Sequence, residues 1–161
     1  MQRRRNPLLN FMFLGALIVV LILLGFLLIR SDAKQAEKTV DLFYSLEQEA
    51  KFSSSWELLH SDMKQRFPVE NYIQDRSHVF MNHFGVDTFT YSLSKPKKKE
   101  SWQMTDDAEP VDVYQIIVTK NYEGKYGYFQ FIQHTYVTKE DGEWRIMWDF
   151  KREEGVGELE S

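Results

Sequence analysis

The chain contains no cysteine. Disulfides, zinc–thiolate sites, iron–sulfur clusters, a thiol nucleophile and a lipoprotein cysteine are all excluded by that absence. Acidic residues are missing from the first thirty positions, which carry four Arg and therefore +4. Beyond them the balance reverses: residues 31–161 hold 16 Lys+Arg against 24 Asp+Glu, a charge of −8, and the two parts sum to the −4 of the whole. Such a domain is a poor partner for nucleic acid, whose recognition rests on phosphate neutralisation. Histidine is scarce. His78 and His83 are separated by about 140° on a helix, so they do not share a ligand face. His60 and His134 stand alone in the sequence, and no metal or other cofactor is expected. There is no internal repeat.

Only one long apolar run exists. Leu8 to Ile29 are 22 residues without a charge, and a helix of that length covers roughly 33 Å, enough for a hydrocarbon core of about 30 Å. Arg3, Arg4 and Arg5 precede it, whereas Arg30, Lys34 and Lys38 after it are mixed with Asp32 and Glu37. The denser basic cluster stays in the cytoplasm, which puts the large C-terminal part outside. The expected organisation is a cytoplasmic basic end (1–7), a transmembrane helix (8–29), an extracytoplasmic domain (31–150) and an acidic flexible tail (151–161). A cleaved signal peptide ending at Ala33 is the competing reading. Its apolar region is usually about 7–15 residues, shorter than this run. No ionisable residue in the span suggests transport.

The outer part has nine Phe, four Trp and eight Tyr in 131 residues, ample material for one packed core. Ala33, Ala36, Val40, Phe43, Leu46 and Ala50 recur at helical spacing and predict a helix that starts close to the membrane. Ser54-x-x-Glu57 has capping-box spacing and predicts a short helix with Trp56, Leu59 and Met63 inward. Pro68 opens a third helix with Val69, Ile73, Phe80 and Phe84 buried and Gly85 closing it. After Gly85 the period becomes two. Phe89, Tyr91 and Leu93 alternate with Thr and Ser, Lys95 to Glu100 read as a polar break, and Trp102 and Met104 resume the alternation. Val111 to Lys120 is a β-branched strand, Asn121 to Gly124 a turn, and Tyr126 to Thr138 a long strand. Glu140-Asp141-Gly142 is a hairpin signal before Trp144, Ile146, Trp148 and Phe150. Helices first and antiparallel strands after give an α+β fold, with the long helix covering one face of a curved sheet.

The segment Val137-Thr138-Lys139-Glu140-Asp141-Gly142-Glu143-Trp144-Arg145-Ile146-Met147-Trp148-Asp149 resembles the last hairpin of nuclear transport factor 2-like domains. More narrowly, it is similar to the membrane-proximal domain of methicillin-resistance-type penicillin-binding proteins, as is Phe84-Gly85-Val86 leading into an alternating strand. The order of elements agrees from about Ala33 to Phe150. The resemblance implies a cystatin-like cone of three helices and a bent antiparallel sheet, used in those relatives as a non-catalytic spacer or interaction module. Eleven residues follow Phe150, so no transpeptidase domain is expected. Ser-x-x-Lys occurs four times, beginning at Ser31, Ser61, Ser92 and Ser94, without a Lys-Thr-Gly partner.

Two sets of residues are chemical candidates. Elsewhere this fold hosts isomerases and dehydratases with an acid or His base and Tyr donors inside the cone. Asp112, Tyr114, Tyr128, His134 and Tyr136 are the residues that could line such a pocket here, where apolar surroundings would raise a carboxyl's pKa towards neutrality. Lys95, Lys97, Lys98 and Lys99 could contact anionic phosphate of lipid or cell-wall polymer; alternatively they are a solvated hairpin tip. The expectation is a non-enzymatic, single-pass cell-membrane protein whose outer domain binds a protein partner in the envelope, as an accessory or scaffold. A small-ligand binder or enzyme using the cone interior is the alternative.

Overall fold

The structure is a computed structural model. It describes residues 7–77, 88–124 and 127–151, with side chains given from Leu14 onward except those of 26–30. Residues 78–87, where Phe80, His78, His83, Phe84 and Gly85 fall, lie outside the described residues, as do positions 1–6, Tyr126 and most of the acidic tail.

Helix α1 (Pro7–Gln48) runs unbroken for 42 residues. No proline falls between the apolar run and the amphipathic stripe, so one rod serves both. Ala36, Val40 and Phe43 are buried on the stripe side, as predicted, and Tyr44 beside them is buried as well. The stripe ends one turn earlier than its spacing suggests. Ala50 is exposed and adopts φ 56°. The Ala50 N–H donates to Glu47 O at 3.1 Å and the Lys51 N–H to Leu46 O at 2.8 Å, the paired bonds that close a helix through a left-handed residue.

The expected single second helix is instead two, α2 (Phe52–Glu57) and α3 (Ser61–Arg66). Lys51 occupies the N-cap of α2, and Ser54 and Glu57 lie within the helix, so the capping-box reading is corrected. The helix breaks because Leu58 and His60 give their backbone groups to the sheet: Ile146 N–H donates to Leu58 O at 2.9 Å and His60 N–H to Ile146 O at 3.0 Å. His60 then caps α3, its ring nitrogen accepting from the Asp62 N–H at 3.2 Å. Helix α4 (Val69–Ser77) follows Pro68, whose carbonyl accepts from the Tyr72 N–H at 2.9 Å.

Among the described residues five strands form one antiparallel sheet: β1 (Phe89–Leu93), β2 (Lys97–Trp102), β3 (Val111–Gly124), β4 (Gly127–Glu140) and β5 (Glu143–Trp148). The order is β1-β3-β4-β5, and β2 pairs with the other half of β3. Strands β1 and β2 thus share one edge, and Ser94 bridges the gap by accepting the Ile117 N–H at its hydroxyl at 2.9 Å. The lysine run is therefore largely strand, Lys97 opposite Gln115 and Lys99 opposite Val113, not a polar break or a hairpin tip. Asn121 to Gly124 are likewise paired, out to Gly124 opposite Gly127, and Tyr122 stacks on Phe129 with ring centres 4.9 Å apart. The predicted hairpin at Asp141-Gly142 is present, with φ 52° and 83°, as a two-residue turn between twisted strands requires.

Helix α1 lies on the inner face of this sheet, where Ile116, Val118, Val137, Ile146 and Trp148 meet Val40 and Phe43 in the core. The outer face is covered at one end by residues 103–110, so that Trp102, Met104, Val113, Tyr136 and Met147 are buried as well. The α+β class and the antiparallel sheet are as expected. Among the described residues no helix is long and apolar enough to cross a membrane; the side chains described within the apolar run are those of Leu14 to Gly25.

Candidate functional site

The strand ladder separates the five residues expected to line one pocket. Tyr114 stands opposite Val137, whereas Tyr136 stands opposite Gln115 and His134 opposite Ile117. Residues paired across a ladder share a face, so Asp112 and Tyr114 belong to the inner face and Tyr128, His134 and Tyr136 to the outer. Tyr136 is buried against Trp102, ring centres 4.2 Å apart and nearly parallel, and its hydroxyl accepts from Gln115 at 3.2 Å. His134 is exposed and lies 3.2 Å from the same amide. Tyr128 is 81% exposed. The structure thus brings Asp112 and Tyr114 to one groove and His134 and Tyr136 to the Gln115 amide on the other face, and Tyr128 joins neither pair. The Asp112 carboxylate accepts from the Ser101 N–H at 3.2 Å and lies 3.4 Å from Lys98 Nζ. These contacts steady the bulge where Ser101 takes φ 51°.

The inner face holds a polar cluster instead. Glu47, on the buried side of α1, pairs with Arg76 of α4 at 3.3 Å and accepts from the Tyr72 hydroxyl at 2.7 Å and the Ser55 hydroxyl at 2.5 Å. Beyond it, the Tyr44 hydroxyl contacts Thr135 at 2.8 Å and donates to Gln133 at 3.0 Å. Lys120 is 3% exposed; its ammonium donates to Gln133 at 3.1 Å and lies 4.8 Å from the Phe131 ring centre and 5.5 Å from that of Tyr44. Burial, then Arg76, pulls the Lys120 ammonium down to about 7, with Glu47 partly offsetting them. Burial pushes the Tyr44 hydroxyl up to about 12 and raises those of Tyr72 and Tyr122 further. Sequence reading passed over this cluster, although two signals were available. Glu47 is four residues beyond Phe43 on the apolar stripe, and Lys120 has the inward parity of Val118 and Tyr122.

A second feature lies at the end of the sheet where α1 leaves the apolar run. There Asp32, Lys98, Asp112, Tyr114, Lys139 and Trp144 border a groove of about 440 Å³. Lys139 Nζ bonds Asp32 at 3.0 Å and lies 4.9 Å from the Trp144 ring centre. Trp144 in turn meets Tyr114 edge-on at 5.7 Å. Of the four candidate lysines, Lys98 faces this groove and also pairs with Glu100 at 3.0 Å. Lys99 lies 5.7 Å from the Tyr136 ring centre on the other face. Lys95 and Lys97 are exposed on the shared edge. The four do not form one patch, because alternate strand residues point to opposite faces.

Among the described residues no group of three or more His, Asp or Glu is placed to hold a metal ion. No family model and no curated protein matches the chain.

Proposed function

We propose that this chain is a single-pass membrane protein whose extracytoplasmic domain, a nuclear transport factor 2-like cone, acts by binding rather than by catalysis, as an accessory or scaffold for envelope or membrane machinery. One observation carries the anchor. The large apolar side chains from Leu14 to Leu24 are each 49–65% exposed on a helix that continues directly into the core. An apolar surface on all sides of a helix suits lipid and not water. In the sequence the uncharged run is 22 residues, Leu8–Ile29, and Arg3–Arg5 before it set the orientation.

The non-catalytic reading is supported by the inner face. There Tyr44, Tyr72, Glu47, Arg76 and Lys120 are bonded to one another or to neighbouring side chains, which suits a filled interior better than a substrate pocket. A long helix over an antiparallel sheet supports the cone reading. In-cell photo-crosslinking from the outer face of β4, with a probe at Gln130, tests the role. Capture of a defined membrane protein, lost when Ile132 is changed to Lys, is the expected result. Turnover of a small molecule by the purified chain, with no such capture, overturns the reading.

A further inference from the structure

The Asp32 groove sits at a depth that matters. Asp32 is three residues beyond Ile29 on the same helix, or about 4.5 Å along its axis. The polar layer on each side of a bilayer is roughly 5–7 Å deep. With residues 8–29 in the hydrocarbon, Asp32 lies in that layer. The 3.0 Å bond from Lys139 to Asp32 holds the end of β4 at the same level, together with Trp144, Tyr114 and Lys98. Tyr and Trp rings are at home at this depth.

The charged residues lining the groove are two ammoniums and two carboxylates, Lys98 with Asp112 and Lys139 with Asp32; outside the lining, Glu100 also pairs with Lys98, at 3.0 Å. Both signs are presented within one groove. All four side chains are 38–60% exposed, and ion pairs so exposed are weak. A zwitterion can therefore exchange partners with them at little net loss: a phosphate takes the lysines, and an ammonium takes the aspartates. A volume of about 440 Å³ is within the range of small-ligand sites.

We propose that the groove bordered by Asp32, Lys98, Asp112 and Lys139 holds the phosphate–ammonium headgroup of a phospholipid from the bilayer that carries the anchor. This rests on the anchor reading above. A bound headgroup fixes the tilt of the outer domain on its membrane.

The test is calorimetric titration of the full chain, in a phosphate-free maltoside detergent, with dihexanoylphosphatidylethanolamine. Saturable binding is expected, weakened about tenfold or more in the Lys98→Gln/Lys139→Gln variant. Lys98→Arg/Lys139→Arg retains it, and Lys95→Gln/Lys97→Gln, with the same charge change at neighbouring exposed sites, moves it less than twofold. Circular dichroism checks that each variant is folded. Equal weakening by the two Gln pairs overturns the proposal. So does equal affinity for dihexanoylglycerol, which lacks the phosphate, or binding of inorganic phosphate as tight as that of the lipid. Alkaline carbonate extraction of membranes separates the two readings. Release of the wild-type chain with the Lys98/Lys139 selectivity intact rejects the anchor alone; retention without that selectivity rejects the groove alone.

Discussion

Single side chains decide where this sequence departs from its own patterns. Ala50 continues the apolar spacing of α1, yet it takes φ 56°, where a Cβ is unfavourable by about 1 kcal/mol. Ala50→Gly should raise the stability of the solubilised chain by roughly 0.5–1 kcal/mol, read as a higher denaturant midpoint at unchanged slope. Lys120 is the opposite case, a charge retained among rings. Its pKa falls from 10.5 to about 7 on folding, so the unfolded chain binds the extra proton between those values. Stability is lowest below about pH 7 and rises as pH climbs towards 10.5. Lys120→Met should add on the order of 2 kcal/mol at pH 7 and flatten that rise. Gln133 keeps the Tyr44 hydroxyl as its donor in the variant. An unchanged pH profile in Lys120→Met would mean that another group titrates there.

Among the elements, patterns within one segment proved readable and competition between segments did not. The stripe of α1, the alternation of β1 and β5 and the Asp141-Gly142 turn all follow from local spacing. The split of the second helix does not, because the partner that breaks it is Ile146, some 88 residues beyond Leu58. The Lys97–Lys99 strand was hidden for a related reason: β3 supplies its hydrogen bonds, so its own composition matters little. Of the candidate pocket residues, Asp112 and Tyr114 border the Asp32 groove on the inner face, and Tyr128, His134 and Tyr136 lie on the outer face, a division that only the pairing register reveals. Helix α1 packs on the inner face of the sheet. Phe43 is fully buried, edge-on to Trp148 at 6.0 Å. Phe43→Ala should cost about 3–5 kcal/mol, whereas Leu42→Ala, 50% exposed, should cost well under 1 kcal/mol. Comparable losses for both would contradict the packing.

Taken whole, the molecule is one rod with a sheet wrapped against its second half, and its pH response combines the buried groups. Above about pH 10 the unfolded tyrosines ionise, while Tyr44 holds its proton to about 12 and Tyr72 and Tyr122 hold theirs longer still. The unfolded chain then binds fewer protons and stability falls. A maximum near pH 9–10 in denaturant midpoints is expected; a monotonic fall from pH 7 would contradict the burial of Lys120. The proposed anchor gives this pH-sensitive domain a fixed side of the membrane, and topology is the point on which every functional statement turns. The direct measurement is protease digestion of intact cells with the wall removed, followed by immunoblotting of an epitope placed after Ser161. Loss of the epitope from intact cells, while a cytoplasmic marker survives, is the predicted result. An epitope that disappears only after lysis would contradict the account.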